Sequence, residues 1–416
     1  MKSDDPFFRI SPGTKQATSR RFLAPPEVKE RPPSQTTSSR PFQASTYEAQ
    51  GRVAERGDRG QREPLRRLDP PVEKSIASNK TMPFDELHDR LLNDPDSVRF
   101  DRDAMLTFRT SNITFDAEIR AQPQEIAHTL YSMALRGHLA CLVGDDGAVP
   151  QDESQFVLRG IQSHLNRHPD ADPEVHRVAN GLKRLVGCGI WYASNENLLS
   201  RGRVYVERLL KNPLVPRVLI HGSLADPNAY GPEHAVIVEL VKRKGPPDTL
   251  DAIVFNTGDG CCEENGHRRV GSAADNKWTT SVTFRNIPEK AMTADLIQKL
   301  CTNTFPLEGP QSLYDMLGNL PGAWRDDGAP AVVQARQKRE DCSFEAHLAL
   351  IKYHTSDAVY RAHRAEIYAT SLEDVRHEIG DQVADFDRAA AKTAYMQEKA
   401  LGPLSAAATE RHRKGF

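Results

Sequence analysis

Residues 234–260 read HAVIVELVKRKGPPDTLDAIVFNTGDG. Two runs rich in Val, Ile and Leu, HAVIVELV and DAIVF, flank a Lys/Gly/Pro break that cannot continue a strand. The pattern predicts two neighbouring antiparallel strands joined by the KRKGPPDTLD loop. The first strand opens on His234, and the second delivers Asn256 into the tight glycine turn Asn256-Thr257-Gly258-Asp259-Gly260. Such pairing sets an amide or a carboxylate beside an imidazole, where it can orient the ring and select its tautomer.

Working outward, RVLIHG is a further β-branched run before this pair, and KWTTSVTFRNI alternates as a strand does after it. EKAMTADLIQKLC returns to helix. After the Pro/Gly-punctuated PGAWRDDGAP, the segment CSFEAHLALIKYH carries a helical period through Phe344, Leu348 and Ile351. Toward the N-terminus, DELHDRLLND, PQEIAHTLYSMALRGHL, ESQFVLRGIQSHLNR, EVHRVANGLKRLVG and NENLLSRGRVYVERLL carry apolar residues at three- and four-residue spacing. The chain therefore reads as α+β: a small, mostly antiparallel sheet, a helical N-terminal half and a helical C-terminal appendage.

Composition sets the boundaries. Residues 1–75 hold 10 of the 28 prolines and carry a net charge of +5, against −2 for all 416 residues. RPPSQTTSSRPFQAS and its neighbours lack an apolar period, so they cannot bury enough surface to offset the entropy of ordering. We read 1–75 as a disordered leader, 83–187 as a mainly helical region, 188–356 as an α+β core and 357–416 as a helical appendage and tail. The near-neutral whole gives no electrostatic case for nucleic acid. No run approaches the length of a membrane span, and MKSDDPFFRISPGT lacks the apolar region of a cleavable signal peptide. Six cysteines in 416 residues are too few for a disulfide scaffold, which leaves thiols free to act as nucleophiles.

Cys342 stands at the start of the CSFEAHLALIKYH helix, where unsatisfied N–H groups and the helix dipole favour a thiolate. Gln337, five residues upstream, can aim an N–H at a developing oxyanion. Cys342 as nucleophile, His234 as base, Asn256 or Asp259 as orienter and Gln337 as donor are the parts of a thiol hydrolase. A second cysteine competes. Val186-Gly187-Cys188-Gly189-Ile190-Trp191 reads as Gly-Cys ahead of an aromatic helix, and Cys188, His234 and Asn256 or Asp259 then follow one another in the chain. Cys188 has no Gln337 equivalent. Adjacent Cys261 and Cys262 cannot easily share one tetrahedral ion, so no metal is expected. His267 reads as a neighbour of the site. No glycine pattern cradles a phosphate or a dinucleotide, so no cofactor is expected.

The order His234, Asn256 or Asp259, Gln337, Cys342 resembles the protease clan that contains the SUMO-specific proteases and the acetyltransferase effectors of bacterial pathogens. The resemblance spans about 190–355 through HAVIVEL, VFNTGDG and QKREDCSFEAHLALIKYH. It implies a papain-like or SUMO-protease-like core and a cysteine protease, isopeptidase or acyl transferase acting on a host protein. Two departures stand out: the interval from His234 to Cys342 is 108, longer than in the compact acetyltransferases, and the third member is Asn256 rather than the usual acid unless Asp259 takes its place. The Ser/Thr/Pro/Arg-rich leader resembles those of type III effectors. That likeness implies secretion without a cleaved signal, a secretion chaperone on the leader and action in the host cytoplasm, the bacterial cytoplasm being the other location. The order through Cys188 resembles papain and transglutaminases and implies a deamidase-like enzyme. The competing class is a non-catalytic effector scaffold whose cysteines only pack.

Overall fold

Odd- and even-numbered residues of the 234–242 strand enter two different apolar clusters, because a strand covered on both sides sends successive side chains to opposite faces. The computed structural model describes residues 84–100, 123–145, 150–193, 198–225, 234–243, 248–272, 275–302, 305–306, 312–337 and 341–413, all within one compact unit, Pro71–Phe416. The 1–75 leader lies outside the described residues, as do Gly231–Glu233 and Lys338–Glu340. Among the described residues no helix is long and apolar enough to cross a membrane.

The strands are β1 (Arg217–Ala225), β2 (His234–Lys242), β3 (Thr249–Phe255), β4 (Arg269–Val270), β5 (Lys277–Thr279), β6 (Ser281–Pro288), β7 (Phe305–Pro306), β8 (Trp324–Arg325) and β9 (Val333–Ala335). One sheet has the order β7-β1-β2-β3-β6-β8, and the small second sheet runs β4-β5-β9. All neighbours are antiparallel except β1 and β7, which are parallel. The β2–β3 register runs from Ile237 opposite Phe255 to Lys242 opposite Leu250. His234 and Asn256 therefore lie at the same end of the sheet, as the antiparallel reading requires. The fold is α+β with a small sheet.

The helices are α1 (Phe84–Asn93), α2 (Pro123–Val143), α3 (Pro150–Arg167), α4 (Pro173–Ala193), α5 (Leu198–Lys211), α6 (Ala294–Thr302), α7 (Leu313–Gly318), α8 (Cys342–His354), α9 (Asp357–Glu378) and α10 (Phe386–Arg413). On one face of the sheet, Leu219, Ile237, Ile253 and Phe255 meet α8 and the helices around it. On the other, Val236, Val238, Leu240 and Val254 meet residues of α5, α6 and α7. The α8 helix is buried around most of its circumference, from Phe344 and Ala346 through Ile351. A helix apolar on all sides has to lie inside, and α8 is the central helix of the fold. Its far end is tied to β2, where His354 Nε2 lies 2.8 Å from Glu239 Oε2.

Two boundaries differ from the sequence reading. Position 188 is no border, since α4 runs unbroken through it and its residues join both clusters. The α9 helix is no appendage either. Ile367 and Tyr368 are fully buried, and a Cβ on Gly160 of α3 would sit 2.5 Å from the Ile367 Cα. Only a glycine lets those two helices approach so closely.

Candidate active site

The site forms where β2 begins, β3 ends and α8 begins. His234 Nε2 lies 2.6 Å from Asn256 Oδ1. The same oxygen accepts the Gly258 N–H at 3.0 Å, while Asn256 Nδ2 donates to the Asp259 carbonyl and to the Tyr314 hydroxyl, each at 2.9 Å. His234 is 3% exposed and Asn256 fully buried. On the other side of the strand end, the Ala235 N–H, next in the chain after His234, donates to Cys342 Sγ at 3.2 Å. Cys342 is half-buried and is the first residue of α8.

Gln337 is stitched to the turn that carries Asn256. Its N–H donates to the Thr257 carbonyl at 2.8 Å, and its Oε1 accepts the Thr257 hydroxyl at 2.8 Å. With Oε1 so engaged, the Nε2 end of the amide faces Gly258. A Cβ added to Gly258 would meet His234 Cε1 at 2.4 Å and Gln337 Nε2 at 2.5 Å, so the imidazole edge and the amide face each other across a space smaller than a methyl group. Gly258 does not have a positive φ. Its lack of a side chain serves this close approach and no unusual backbone.

Electrostatics set the resting state. Burial pushes the His234 imidazole down, against the Asn256 bond and the Asp259 charge, which raise it, and with Arg336, which lowers it. Burial likewise pushes the Cys342 thiol up, outweighing the Ala235 and Ser343 N–H groups that lower it; Asp341 raises it further. The thiolate expected from the helix N-terminus is therefore not the resting form. Desolvation of one sulfur exceeds what the first-turn amides return. Asp341, just before Cys342, is itself pushed up to about 7 by burial and by Glu345.

The α8 helix is anchored from beneath. His347 Nδ1–H donates to the Ser343 carbonyl at 2.7 Å, and Ser154 Oγ of α3 lies 2.7 Å from His347 Nε2 and 2.8 Å from His221 Nε2 of β1. Burial holds both imidazoles below their ordinary value. One hydroxyl between two neutral rings donates to His347 and accepts from His221, which joins helix, helix and strand.

The remaining candidates fall elsewhere. Of the two orienters, Asn256 touches the ring, while the exposed Asp259 carboxylate pairs with Arg336 at 3.0 Å. Cys188 stands well inside α4 and not ahead of a helix; it is 4% exposed in the cluster of Tyr205, Val206 and Leu209. The segment read as standing ahead of a helix continues the period of EVHRVANGLKRLVG, and this puts Cys188 toward the negative end of its helix. Cys261 and Cys262 turn to different backbone carbonyls, those of Thr279 and Gly260. Burial raises the Cys261 thiol to about 12. Among the described residues, no group of three or more His, Cys, Asp or Glu could hold a metal ion. Sequence reasoning missed Thr257 and Tyr314. Thr257 was in view inside the turn, but Tyr314, 58 residues beyond Asn256, carried no signal. The chain matches no known family, no curated protein and no solved structure.

Proposed function

We propose that this protein is a cysteine hydrolase or acyl transferase with Cys342 as nucleophile, His234 as general base and Asn256 as orienter. One observation carries the reading: Cys342, His234, Asn256 and Gln337, spread over 109 residues, meet at one end of one sheet. With Nε2–H held by Asn256, the lone pair of His234 is on Nδ1. In the reaction Cys342 Sγ gives its proton to Nδ1 and bonds to a carbonyl carbon. Gln337 Nε2–H stabilises the oxyanion. Collapse expels the leaving group, which takes the proton from Nδ1, and leaves a thioester on Cys342. Water, an amine or a hydroxyl then takes the acyl group while Nδ1 accepts that nucleophile's proton, and the proton returns to sulfur.

A papain-like or SUMO-protease-like core fits this reading, because a central buried helix carries the nucleophile at its N-terminus against a strand that carries the base. In the same proposal the substrate is a host protein and the leader serves delivery as a secreted effector. The test uses p-nitrophenyl acetate as acyl donor. The reading expects a stoichiometric burst and an acetyl mass on Cys342, both lost in Cys342→Ala. No burst and no adduct would overturn it.

A further inference from the structure

Two backbone carbonyls determine every proton in the buried chain behind Asn256. His267 is fully buried, and its Nδ1 lies 2.7 Å from the Thr279 carbonyl oxygen. A carbonyl only accepts, so Nδ1 carries a hydrogen. Burial pushes His267 down to about 4, so at neutral pH the ring has one N–H and its Nε2 is a bare acceptor. The group 3.0 Å from that Nε2 is the Tyr314 hydroxyl, which must therefore donate to it. Having spent its one hydrogen, the Tyr314 oxygen can only accept, and its partner at 2.9 Å on Asn256 has to be the N–H end of the amide. The other hydrogen of that nitrogen goes to the Asp259 carbonyl. The amide oxygen is left facing the Gly258 N–H and His234 Nε2, which donates to it.

We infer that Tyr314, set by His267, is a positioning residue of the active-site base: it holds the Asn256 amide in the one orientation that keeps His234 protonated on Nε2 and bare on Nδ1. This rests on the reaction assigned above for its catalytic meaning, though the wiring itself does not. The turn backbone supplies two of the anchors on Asn256, the Asp259 carbonyl and the Gly258 amide. Tyr314 supplies a third from outside the turn, on the side of the amide away from His234, so it ties the orienter to α7 and, through His267, to the end of β5. A reversed amide would point N–H at His234 Nε2, force the ring proton onto Nδ1 and remove the base.

The test compares wild type with Tyr314→Phe, Asn256→Ala and the double variant. Two readouts are taken: the rate at which iodoacetamide alkylates Cys342, and the ring ¹⁵N signals of His234 by long-range ¹H–¹⁵N correlation. The inference expects Tyr314→Phe to slow alkylation roughly ten- to a hundredfold, the weight of one buried hydrogen bond. It also expects the His234 signals to move from a pure Nε2–H pattern toward a tautomer mixture, and Tyr314→Phe to add nothing once Asn256 is Ala. An unchanged tautomer in Tyr314→Phe, or an effect that adds in full to Asn256→Ala, overturns the inference. Wild-type Cys342 reacting no faster than in His234→Ala would instead overturn the catalytic reading, and the tautomer signals would still decide the wiring.

Discussion

Cys342 and Cys188 each sit on a helix packed near the sheet, and each precedes His234 or follows it in an order that a thiol enzyme can use. They differ in their place along the helix. Cys342 is the first residue of α8, half-buried, with its sulfur against the amide that follows His234. Cys188 lies five residues from the end of α4, 4% exposed, among apolar side chains. In the proposed reaction the same thiol is a reagent at one address and filler at the other. What separates them is the burial of the residue and which end of a helix dipole it meets.

The largest expected effect is the sharpest way to break that contrast. Cys342→Ala should abolish acyl transfer, whereas Cys188→Ala should leave the rate per folded molecule intact and lower stability by about 1 kcal/mol, the weight of a small group lost from a core. Chemical denaturation beside a burst assay separates the two. Asn256→Ala comes next. It releases the ring and should lower the acylation rate by about 10²–10⁴, the span of general acid–base catalysis. Smaller again is Gln337→Ala, at about 10²–10³ in the acylation rate for a lost oxyanion donor. Gly258→Ala belongs with it. The added methyl removes no functional group yet parts His234 from Gln337, so acylation should fall, with about 1–3 kcal/mol of stability lost to overpacking. A normal rate in that variant would mean the two groups need not approach.

The smallest effects are in pH. Cys342 rests as a thiol, so its alkylation should accelerate with rising pH along a curve shifted above that of an ordinary cysteine. Stability carries the opposite edge. His164, His221, His234, His267, His347 and His363 are all held below their ordinary value, chiefly by burial, with His267 at about 4 and His363 at about 3. The unfolded chain binds those protons first, so their contribution is intact above about pH 6.5 and is lost as pH falls toward the folded values. Asp341 and Asp374, raised to about 7 and about 6, act in the reverse sense. Six groups against two give net loss of stability on acidification, which melting temperatures between pH 7 and pH 5 would show.

Much of the site was legible because its parts are local. His234 opens a β-branched run, Asn256 ends another, and Cys342 opens a strongly periodic helix; each position follows from a pattern within ten residues. Cys188 was misjudged for the same reason. Gly187 and Gly189 suggest a break before a new helix, yet tertiary packing of Gly187 against Leu91, where a Cβ would meet the Leu91 Cδ1 at 2.5 Å, keeps the helix going. The α9 helix reads as an appendage in the sequence because its charged residues mask the apolar stripe through Ile367, Tyr368 and Val375. The state of the thiol was missed because burial is a property of the whole fold, while the helix-terminus argument sees one turn. Tyr314 and the Ser154–His221–His347 junction join residues up to 193 positions apart, and nothing in the spacing of a chain announces such contacts.

The most direct test of the central claim is peptide mapping by mass spectrometry after brief exposure of the folded protein to a limiting amount of an electrophilic thiol probe. The account predicts an adduct on Cys342, formed at least a hundredfold more slowly in His234→Ala, as expected when a general base is removed. An adduct on Cys188, Cys262 or Cys301 in its place, or equal rates with and without His234, would contradict it.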